Sequence, residues 1–344
     1  MTHTTQSPAA DATFPFIVRP FRWEDIAAIA AVHERNNHAL GNPDPITEQS
    51  IRSYYEVPEF EPEQNVFVVT DTEGRVIAVT ELEHGEESGR SWVDGAVDPD
   101  YWNQGIGTHL MRLSEEAALA YYTTRREPLL PPDEPISVER AAEKTFAPVK
   151  ALYAANGYRY IRTFYRMRIA FVADASSAPA PLPTGLQVRP VQPEHYRAIY
   201  EAHQEAFRDH WGWEPYPYEE WHHWVIDNPN ADPSLWRVIW DGDQVAALAI
   251  NRFWGDDRPD FGWVGILATR RPWRKQGLAE WLLRNSFQAF QAVGLKGAGL
   301  GVDAASLTNA VALYERVGMQ VERQYDEYAK MLRGEWLSIF PPGE

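Results

Sequence analysis

The chain has 344 residues, a hydrophobic content of 44%, a formal net charge of −17 and no cysteine. This length is typical of two domains, and the missing cysteine excludes disulfides, cysteine nucleophiles and thiolate metal sites, which fits a cytoplasmic protein. The acidic charge argues against nucleic acid and anionic membranes as partners, although ordinary solubility explains it equally well.

The termini and the middle of the chain predict its domain organisation. Residues 1–12 are polar and lack the apolar core of a signal peptide, so we expect a disordered tail there, and another short tail at 336–344. No apolar run approaches the length of a membrane-spanning helix. A Pro/Ala/Ser-rich stretch at 172–184 predicts a linker between two domains, 13–171 and 185–335.

The first half has the pattern of a mixed α/β domain. Two apolar runs, Val66–Val69 and Val76–Val79, flank a turn at Glu73-Gly74, which is typical of a β-hairpin. Prolines within residues 128–132 interrupt the region where a strand should follow the helix, since proline is poorly tolerated in a central strand. We therefore expect a loop there and a weak strand near Ile136–Val138.

The second half repeats this organisation. A short strand is predicted at Leu186–Arg189, followed by helices at Pro193–Arg208 and Tyr218–Ile226. The sequence Asp241-Gly242-Asp243 between two apolar runs predicts a second hairpin. Three landmarks recur in the same order: Val18-Arg19-Pro20 with Val188-Arg189-Pro190, Gly105 with Gly277, and Tyr153 with Tyr314. This order favours a tandem duplication of one domain.

One stretch of the second half predicts a site for an anion. The apolar run Phe261–Leu267 precedes a basic loop, Arg270–Lys275, and the amphipathic segment after the loop predicts a helix. Gly277 and Ala279 leave little side chain at the first helical turn, so a ligand can approach the backbone. The first amides of a helix lack intrahelical partners and lie at its positive end, so a pyrophosphate is the natural guest.

These residues carry a resemblance to a known family. Arg274-x-x-Gly277-x-Ala279 resembles the acyl-CoA-binding motif of the GCN5-related N-acetyltransferases (GNAT). The segment Asn309–Met319 resembles the last helix of that family and the turn after it. The resemblance implies an α/β fold with two tandem acyl-CoA N-acyltransferase domains, each a mixed, mostly antiparallel sheet flanked by helices.

The resemblance also implies a co-substrate, acetyl-CoA, and no metal. The loop amides would hold the pyrophosphate, and the preceding strand would bond to the pantetheine arm. The implied binding residues are Leu267, Ala268, Thr269, Arg274, Lys275, Gln276, Gly277, Leu278, Ala279 and Asn309. Tyr314 takes the place of the general acid that protonates the CoA thiolate. Asp303 is the candidate base, and the alternatives are Asp260, Glu205 and Asp209.

The acceptor side is expected near Phe207–Trp213 and the helix around Trp221–Trp224. Four tryptophans there could form an aromatic wall against a sugar or a cation: Trp211, Trp213, Trp221 and Trp224. Packing in a core or an interface explains these tryptophans at least as well.

The halves differ where the chemistry is expected. Trp102 stands in the place of Arg274, and Asp98 and Asp100 lie in the loop where the second half has Arg270 and Pro272. Carboxylates beside a pyrophosphate site oppose binding. The first half is therefore predicted to be a structural partner without catalysis, and the alternative is that it binds acetyl-CoA without turnover.

The resulting hypothesis is an N-acetyltransferase that acts on a primary amine of a small molecule, with the chemistry in the second half. The tandem layout resembles that of mycothiol synthase, but Trp263 stands where that enzyme has a glutamate, so an antibiotic-modifying enzyme is equally open. The alternative from another class is a non-catalytic acyl-CoA-binding or scaffold protein. Neither nucleic acid nor membrane is an expected partner, and the two halves could mimic a GNAT dimer.

Overall fold

The chain forms two compact units in the computed structural model, which describes residues 14–42, 44–57, 60–85, 88–124, 130–172, 181–213, 215–255, 258–306 and 309–336. Unit 1 comprises Met1–Ile161 and Asp326–Glu344, and unit 2 comprises Arg162–Tyr325. The predicted tail at 1–12, most of the predicted linker and nearly all of the predicted tail at 336–344 lie outside the described residues. Among the described helices, none is long and apolar enough to cross a membrane.

The strands of the first half are β1 (Ile17–Pro20), β2 (Val66–Thr70), β3 (Val76–His84), β4 (Arg90–Val97), β5 (Ile136–Glu143) and β6 (Arg159–Ala170). Its helices are α1 (Ile26–Ala39), α2 (Glu48–Tyr55), α3 (Pro62–Asn65), α4 (Ile106–Thr123) and α5 (Ala147–Ala155). The predicted hairpin is confirmed as β2 and β3, and the weak strand as β5. Two residues of the predicted proline-rich loop, Pro128 and Leu129, lie outside the described residues.

The strands of the second half are β7 (Leu186–Val188), β8 (Arg237–Asp241), β9 (Gln244–Phe253), β10 (Phe261–Thr269), β11 (Gly297–Asp303) and β12 (Gln320–Arg333). Its helices are α6 (Tyr196–Phe207), α7 (Tyr218–Val225), α8 (Leu278–Ala292) and α9 (Ala310–Arg316). The second hairpin is confirmed as β8 and β9, and α8 follows the basic loop as the sequence predicts.

Each unit contains a mixed, mostly antiparallel sheet. The strand order is β1-β2-β3-β4-β5-β12 in unit 1 and β6-β11-β10-β9-β8-β7 in unit 2. One neighbouring pair in each unit is parallel, β4 with β5 and β10 with β11. In unit 2, the helices α8 and α9 contribute to one buried apolar cluster, and α6 and α7 to another.

The last strand of each half belongs to the sheet of the other unit. The strand β6 pairs antiparallel with β11, from Phe164 opposite Asp303 to Ala170 opposite Gly297. The C-terminal part of β12 lies beside β5, and its Tyr328 is buried in an apolar cluster of unit 1. A boundary at the predicted linker assigns β6 to the first domain and the end of β12 to the second, opposite to the units that contain them. The order of strands along a chain does not reveal how the strands pair.

In both units the two parallel strands separate from each other after a short paired stretch. Its register covers three residue pairs, and the last are Trp92 with Glu139 in unit 1 and Trp263 with Gly299 in unit 2. Beyond this point β10 continues to Thr269 alongside β9, while β11 continues alongside β6. A gap therefore opens in the sheet of unit 2 between the carboxyl ends of two adjacent strands.

Candidate active site

One wall of the gap in unit 2 is the end of β10. Leu267, Ala268 and Thr269 pair with β9 on one side, opposite Ala249, Leu248 and Ala247. Along such a strand, every second residue turns its N–H and C=O groups away from the partner. Those groups face the gap, where the register with β11 has ended. The edge of β10 is therefore suited to an extended ligand that carries amide groups, through Leu267 and the Thr269 N–H, because the Thr269 carbonyl accepts from Arg274.

The loop before α8 presents a set of free amides. Gly277, the N-cap of α8, has a φ of 79°, and Lys275 has a φ of 62°, so both lie in the left-handed region. Residues 275–280 make no hydrogen bond through their N–H groups to another residue within the described ranges. No atom lies within 4 Å of the position that a Cβ of Gly277 would take. The structure thus brings Lys275, Gln276, Gly277, Leu278 and Ala279 together around open space at a helix N-terminus.

The guanidinium group of Arg274 binds protein atoms. Its Nε donates to the carbonyl of Thr269 at 3.1 Å, and its Nη2 donates to the carbonyl of Ala206 at 3.0 Å. Its Nη1 lies 3.1 Å from Oδ2 of Asp209. Arg274 therefore fastens the loop to the end of α6, and its charge is shared with a carboxylate rather than directed at a ligand.

Two carboxylates balance most of the positive charge of the loop. Asp209 also accepts from Arg271, and hydrogen bonds from Arg271 and then Arg274 lower the pKa of Asp209 to about 2. Arg270 donates to Glu205 at 2.8 Å. Among the described residues, Lys275 is the loop cation without an ion-pair partner. Glu205 on α6 and Asp209 just after this helix therefore compensate three of the four cations of the loop, although they lie far away in sequence.

Tyr314 lies in the interior beside the gap. It is 7% exposed, and its apolar cluster includes Val264 of β10 and Val302 of β11. Burial raises the pKa of Tyr314 to about 12, so the hydroxyl stays protonated at neutral pH. Asn309, the N-cap of α9, adopts a left-handed φ of 54°.

Asp303 is held in an ion pair. Arg162 donates to both of its oxygens, with Nε at 2.9 Å and Nη2 at 2.6 Å from Oδ2, and the Ala305 amide also donates to it. The other carboxylates considered as bases are paired as well: Glu205 with Arg270, Asp209 with Arg271 and Arg274, and Asp260 with Lys296. Each of these four carboxylates therefore already has a cationic partner.

Of the four tryptophans considered for an aromatic wall, Trp221 and Trp213 pack within unit 2, whereas Trp224 is 38% exposed. Trp221 is 0% exposed and packs in the apolar core with Trp236, because α7 turns this face towards the sheet. Trp213 packs against Phe207 and His203. Trp211 alone contacts the candidate catalytic groups, since the guanidinium group of Arg162 lies 4.9 Å from its ring centroid.

The sequence singles out Glu205 and Asp209 only as alternative bases, and it does not single out Arg162. Arg162 lies on β6, in the first half of the chain, so its pairing with Asp303 depends on the exchanged strand. Glu205 lies in the last turn of α6 and Asp209 lies two residues after it, so both acids reach the loop from the same end of that helix. Two acids four residues apart, together with a loop that contains three arginines, were the pattern in the sequence that could have indicated these ion pairs.

Comparison with protein families finds two matches. The family described as "Acetyltransferase (GNAT) family" matches residues 196–319. The family described as "Acetyltransferase (GNAT) domain" matches residues 62–160. Together they cover more than half of the chain, one match in each half. A search of curated proteins finds no match.

Solved structures resemble the chain over most of its length. A GCN5-related N-acetyltransferase from Sphaerobacter thermophilus is 27% identical with a TM-score of 0.76, over 93% of this chain and 97% of that one. A tandem GNAT protein from the clavulanic acid biosynthesis pathway is 13% identical with a TM-score of 0.68, over 96% and 100%. A GNAT-family acetyltransferase from Colwellia psychrerythraea is 10% identical with a TM-score of 0.57, over 91% and 100%. At such low identity the last two show the fold alone.

Both halves match the same family, and the neighbours extend across both of them, so the tandem arrangement that the internal repeat predicts is confirmed. The chain belongs to the GNAT acetyltransferase family and consists of two GNAT domains in tandem.

Proposed function

We propose that the protein transfers an acetyl group from acetyl-CoA to a primary amine of a small molecule, with the chemistry in unit 2. The observation that carries this proposal is the run of free amides at residues 275–280 beside the open edge of β10. The amides suit the pyrophosphate, and the strand edge suits the pantetheine arm, whose amides require hydrogen-bonding partners.

In the proposed reaction, the neutral amine attacks the thioester carbon and the carbon–sulfur bond breaks. Tyr314 donates a hydrogen bond to the sulfur as negative charge develops on it. With a pKa of about 12, the Tyr314 hydroxyl is a weaker acid than an ordinary thiol, so it shares its proton with the sulfur rather than losing it early.

The proton of the amine needs a separate acceptor. Asp303 lies at the end of β11, but its oxygens are engaged by Arg162. We assign to the Arg162–Asp303 pair the orientation of the acceptor and to water the removal of the proton. Under this assignment, Asp303→Asn raises the KM for the amine more than it lowers kcat.

The first experiment is incubation with labelled acetyl-CoA and an amine library that includes amino sugars and aminoglycosides. Gly277→Glu places bulk and negative charge among the free amides and should abolish acetyl-CoA binding and turnover. The matched change in unit 1 is Gly105→Glu, where the glycine has a φ of 84° and the space that a Cβ would enter is likewise empty to 4 Å. Loss of all turnover in Gly105→Glu but not in Gly277→Glu would overturn the assignment to unit 2.

A second candidate function is acyl-CoA binding without catalysis. It is favoured by the pairing of Asp303, Glu205, Asp209 and Asp260 with cations, which leaves none of these four as an unengaged base. Tight acetyl-CoA binding without acetylation of any amine in the library would support it.

A further inference from the structure

One proton of the proposed reaction lacks a destination among the carboxylates of unit 2. A primary amine is an ammonium ion at neutral pH and must lose a proton before its nitrogen can attack. The four carboxylates considered as bases already have cationic partners. Water takes the proton only in passing, because hydronium is a strong acid. A group with a pKa closer to neutral must therefore receive the proton from water.

The segment that follows α6 is anchored at both walls of the gap. Asp209 pairs with Arg274, whose Nε donates to the last carbonyl of β10. The ring of Trp211 lies against the guanidinium group of Arg162, which pairs with the carboxylate at the end of β11. His210 is the one residue between these two anchors, so its position is close to the carboxyl ends of both strands.

The backbone of His210 is fixed, whereas its ring is accessible. Its N–H donates to the carbonyl of Phe207 at 2.8 Å, and its carbonyl accepts from the Trp213 N–H at 3.2 Å. Its ring packs on the Phe207 ring, with 4.1 Å between the centroids. The side chain is exposed, and no described residue makes a hydrogen bond with its ring. One nitrogen of a neutral imidazole is an acceptor in either tautomer, so water can deliver a proton to it.

The surrounding groups keep His210 ready to accept a proton. Partial burial lowers its pKa, the charge of Arg274 lowers it further, and the charges of Asp303 and Asp209 raise it, with a net shift downward. His203 on α6 acts on the same ring and is itself neutral, with a pKa of about 4. The His210 imidazole is therefore neutral at pH 7 and titrates close enough to neutrality for proton transfer.

Unit 1 lacks this imidazole. The helices α1 and α6 both carry a buried histidine, and His33 stands 170 residues before His203. The same offset places Leu40 at the position of His210. A leucine cannot accept a proton, so the helix and its buried histidine occur in both units while the exposed histidine occurs in the unit to which the chemistry is assigned.

We propose that His210 is the proton acceptor of the reaction and receives the proton through the water that deprotonates the amine. This inference rests on the proposed function and completes its proton balance. One proton passes from the ammonium nitrogen through water to the imidazole, which becomes imidazolium. The amine lone pair then forms the carbon–nitrogen bond, the carbon–sulfur bond breaks, and the loss of a second proton from nitrogen balances the proton that the CoA sulfur takes up. His210 finally returns its proton to solvent.

The test uses the full chain and the best acceptor from the amine library. His210→Gln should lower kcat by roughly 10²-fold, the contribution of one acid–base group, and leave the KM for acetyl-CoA within about twofold. The matched control is His38→Gln, which makes the same change at an exposed histidine in the last turn of α1 in unit 1. Its kcat should stay within about twofold of wild type.

The pH profile and chemical rescue separate proton transfer from a structural role. The wild-type kcat should be level above pH 7 and should fall as the pH drops through the lowered pKa of His210. In His210→Gln, kcat should instead rise in proportion to the hydroxide concentration, because solvent must take the proton. Added imidazole should restore turnover to His210→Ala in proportion to its neutral form, and should not restore it to Tyr314→Phe.

Two outcomes would refute the role of His210 and leave the proposed function standing. One is a kcat of His210→Gln within about threefold of wild type, too small a loss for a missing acid–base group. The other is a larger loss that keeps the wild-type pH profile and is not rescued by imidazole, which is the signature of a structural role. Absence of acetylation by the wild-type protein is a different result, since it refutes the proposed function and this proton transfer together.

Discussion

The loops before α4 and α8 reach the same geometry with different side chains. In unit 2, Nε of Arg274 donates to the carbonyl of Thr269, the last residue of β10. In unit 1, the indole Nε1 of Trp102 donates at 2.8 Å to the carbonyl of Val97, the last residue of β4. In both loops an N–H group donates to the carbonyl of the last residue of the preceding strand. A positive charge is not essential for this hydrogen bond. The loss of a motif arginine therefore does not imply the loss of the loop.

An ion pair anchors the start of each loop, and the acidic and basic partners are exchanged between the two units. In unit 2, Arg270 at the start of the loop pairs with Glu205 on α6, and in unit 1, Asp98 pairs with Arg35 on α1. Asp98 is 1% exposed and pairs with Arg75 as well. The expectation that Asp98 repels a pyrophosphate is therefore wrong, because two guanidinium groups compensate its charge. A charge seen in a sequence has a known effect only when its partner is known.

The largest expected effect is a difference in kcat between variants of the two corresponding tyrosines, Tyr314 and Tyr153. Tyr314→Phe removes the proposed donor to the CoA sulfur and should lower kcat by roughly 10²–10³-fold, with little change in the KM for acetyl-CoA. Tyr153 is the counterpart in unit 1, and its hydroxyl donates to the Ala141 carbonyl at 3.0 Å. Tyr153→Phe should leave kcat unchanged. Steady-state kinetics of both variants decide the comparison, and a kcat of Tyr314→Phe within about twofold of wild type would remove Tyr314 from the mechanism.

The reversed ion pairs should differ in their contribution to stability. Asp98 is buried, and Asp98→Ala leaves Arg35 and Arg75 without their shared carboxylate, so the free energy of unfolding should fall by about 3 kcal/mol. Asp209 in unit 2 is accessible to solvent, and Asp209→Ala should cost clearly less. Urea denaturation of both variants measures the difference, and equal losses would show that burial does not distinguish the two loops.

Buried histidines at corresponding places of α1 and α6 should respond to pH in opposite directions. Burial lowers the pKa of His203 to about 4, with a smaller contribution from His210. The folded state then keeps His203 neutral while the unfolded chain takes up a proton near pH 6.5, so acidification from pH 6.5 to 4 lowers the free energy of unfolding by roughly 3 kcal/mol. His203→Met should flatten that dependence in urea titrations between these pH values.

His33 provides the contrast. Burial lowers its pKa but the Glu81 charge raises it, and the net shift is upward. Its contribution to stability is therefore fully present below the unfolded pKa and is lost as the pH rises through the folded pKa. His33→Met should remove stability at acidic pH, where His203→Met adds it. A loss of the same sign for both variants at pH 5 would contradict this assignment.

The smallest expected effect tests the contacts by which Arg274 holds the loop in place. Arg274→Ala removes the donor to Thr269, and acetyl-CoA affinity should fall by about 1–2 kcal/mol because the free amides lose their fixed positions. Arg274→Trp copies the arrangement of Trp102 in unit 1 and should recover most of that loss. Calorimetry with acetyl-CoA compares the two. Equal affinities in both variants would indicate that the charge of Arg274, and not its N–H, holds the ligand.

Local patterns in the sequence predicted much of the fold. The Asp241-Gly242 turn and the strand before the basic loop both follow from residues close together in the chain. Partners distant in sequence were not predicted. Arg162 and Asp303 are 141 residues apart, and Arg270 and Glu205 are 65 apart. Such pairs depend on how strands assemble, and periodicity carries no information about that assembly.

The cross-strand pair of Glu81 and Asp94 in unit 1 illustrates the same limit. Glu81 and Asp94 lie on separate strands, and each alone resembles an ordinary surface charge in the sequence. Their juxtaposition follows from the register of β3 and β4, which the hairpin turn sets through its length. A hairpin shifted by one residue would have turned one of the two side chains to the other face.

The exchange of β6 and β12 has a consequence for inheritance. Each unit needs a strand from the other half of the coding sequence, β6 for unit 2 and the end of β12 for unit 1. A gene cut at the linker would encode two polypeptides. The first would carry β6 and lack the end of β12, and the second would carry β12 and lack β6. Deletion of either half therefore leaves no complete GNAT domain, so a half that had lost its own reaction would still be retained by selection on the other.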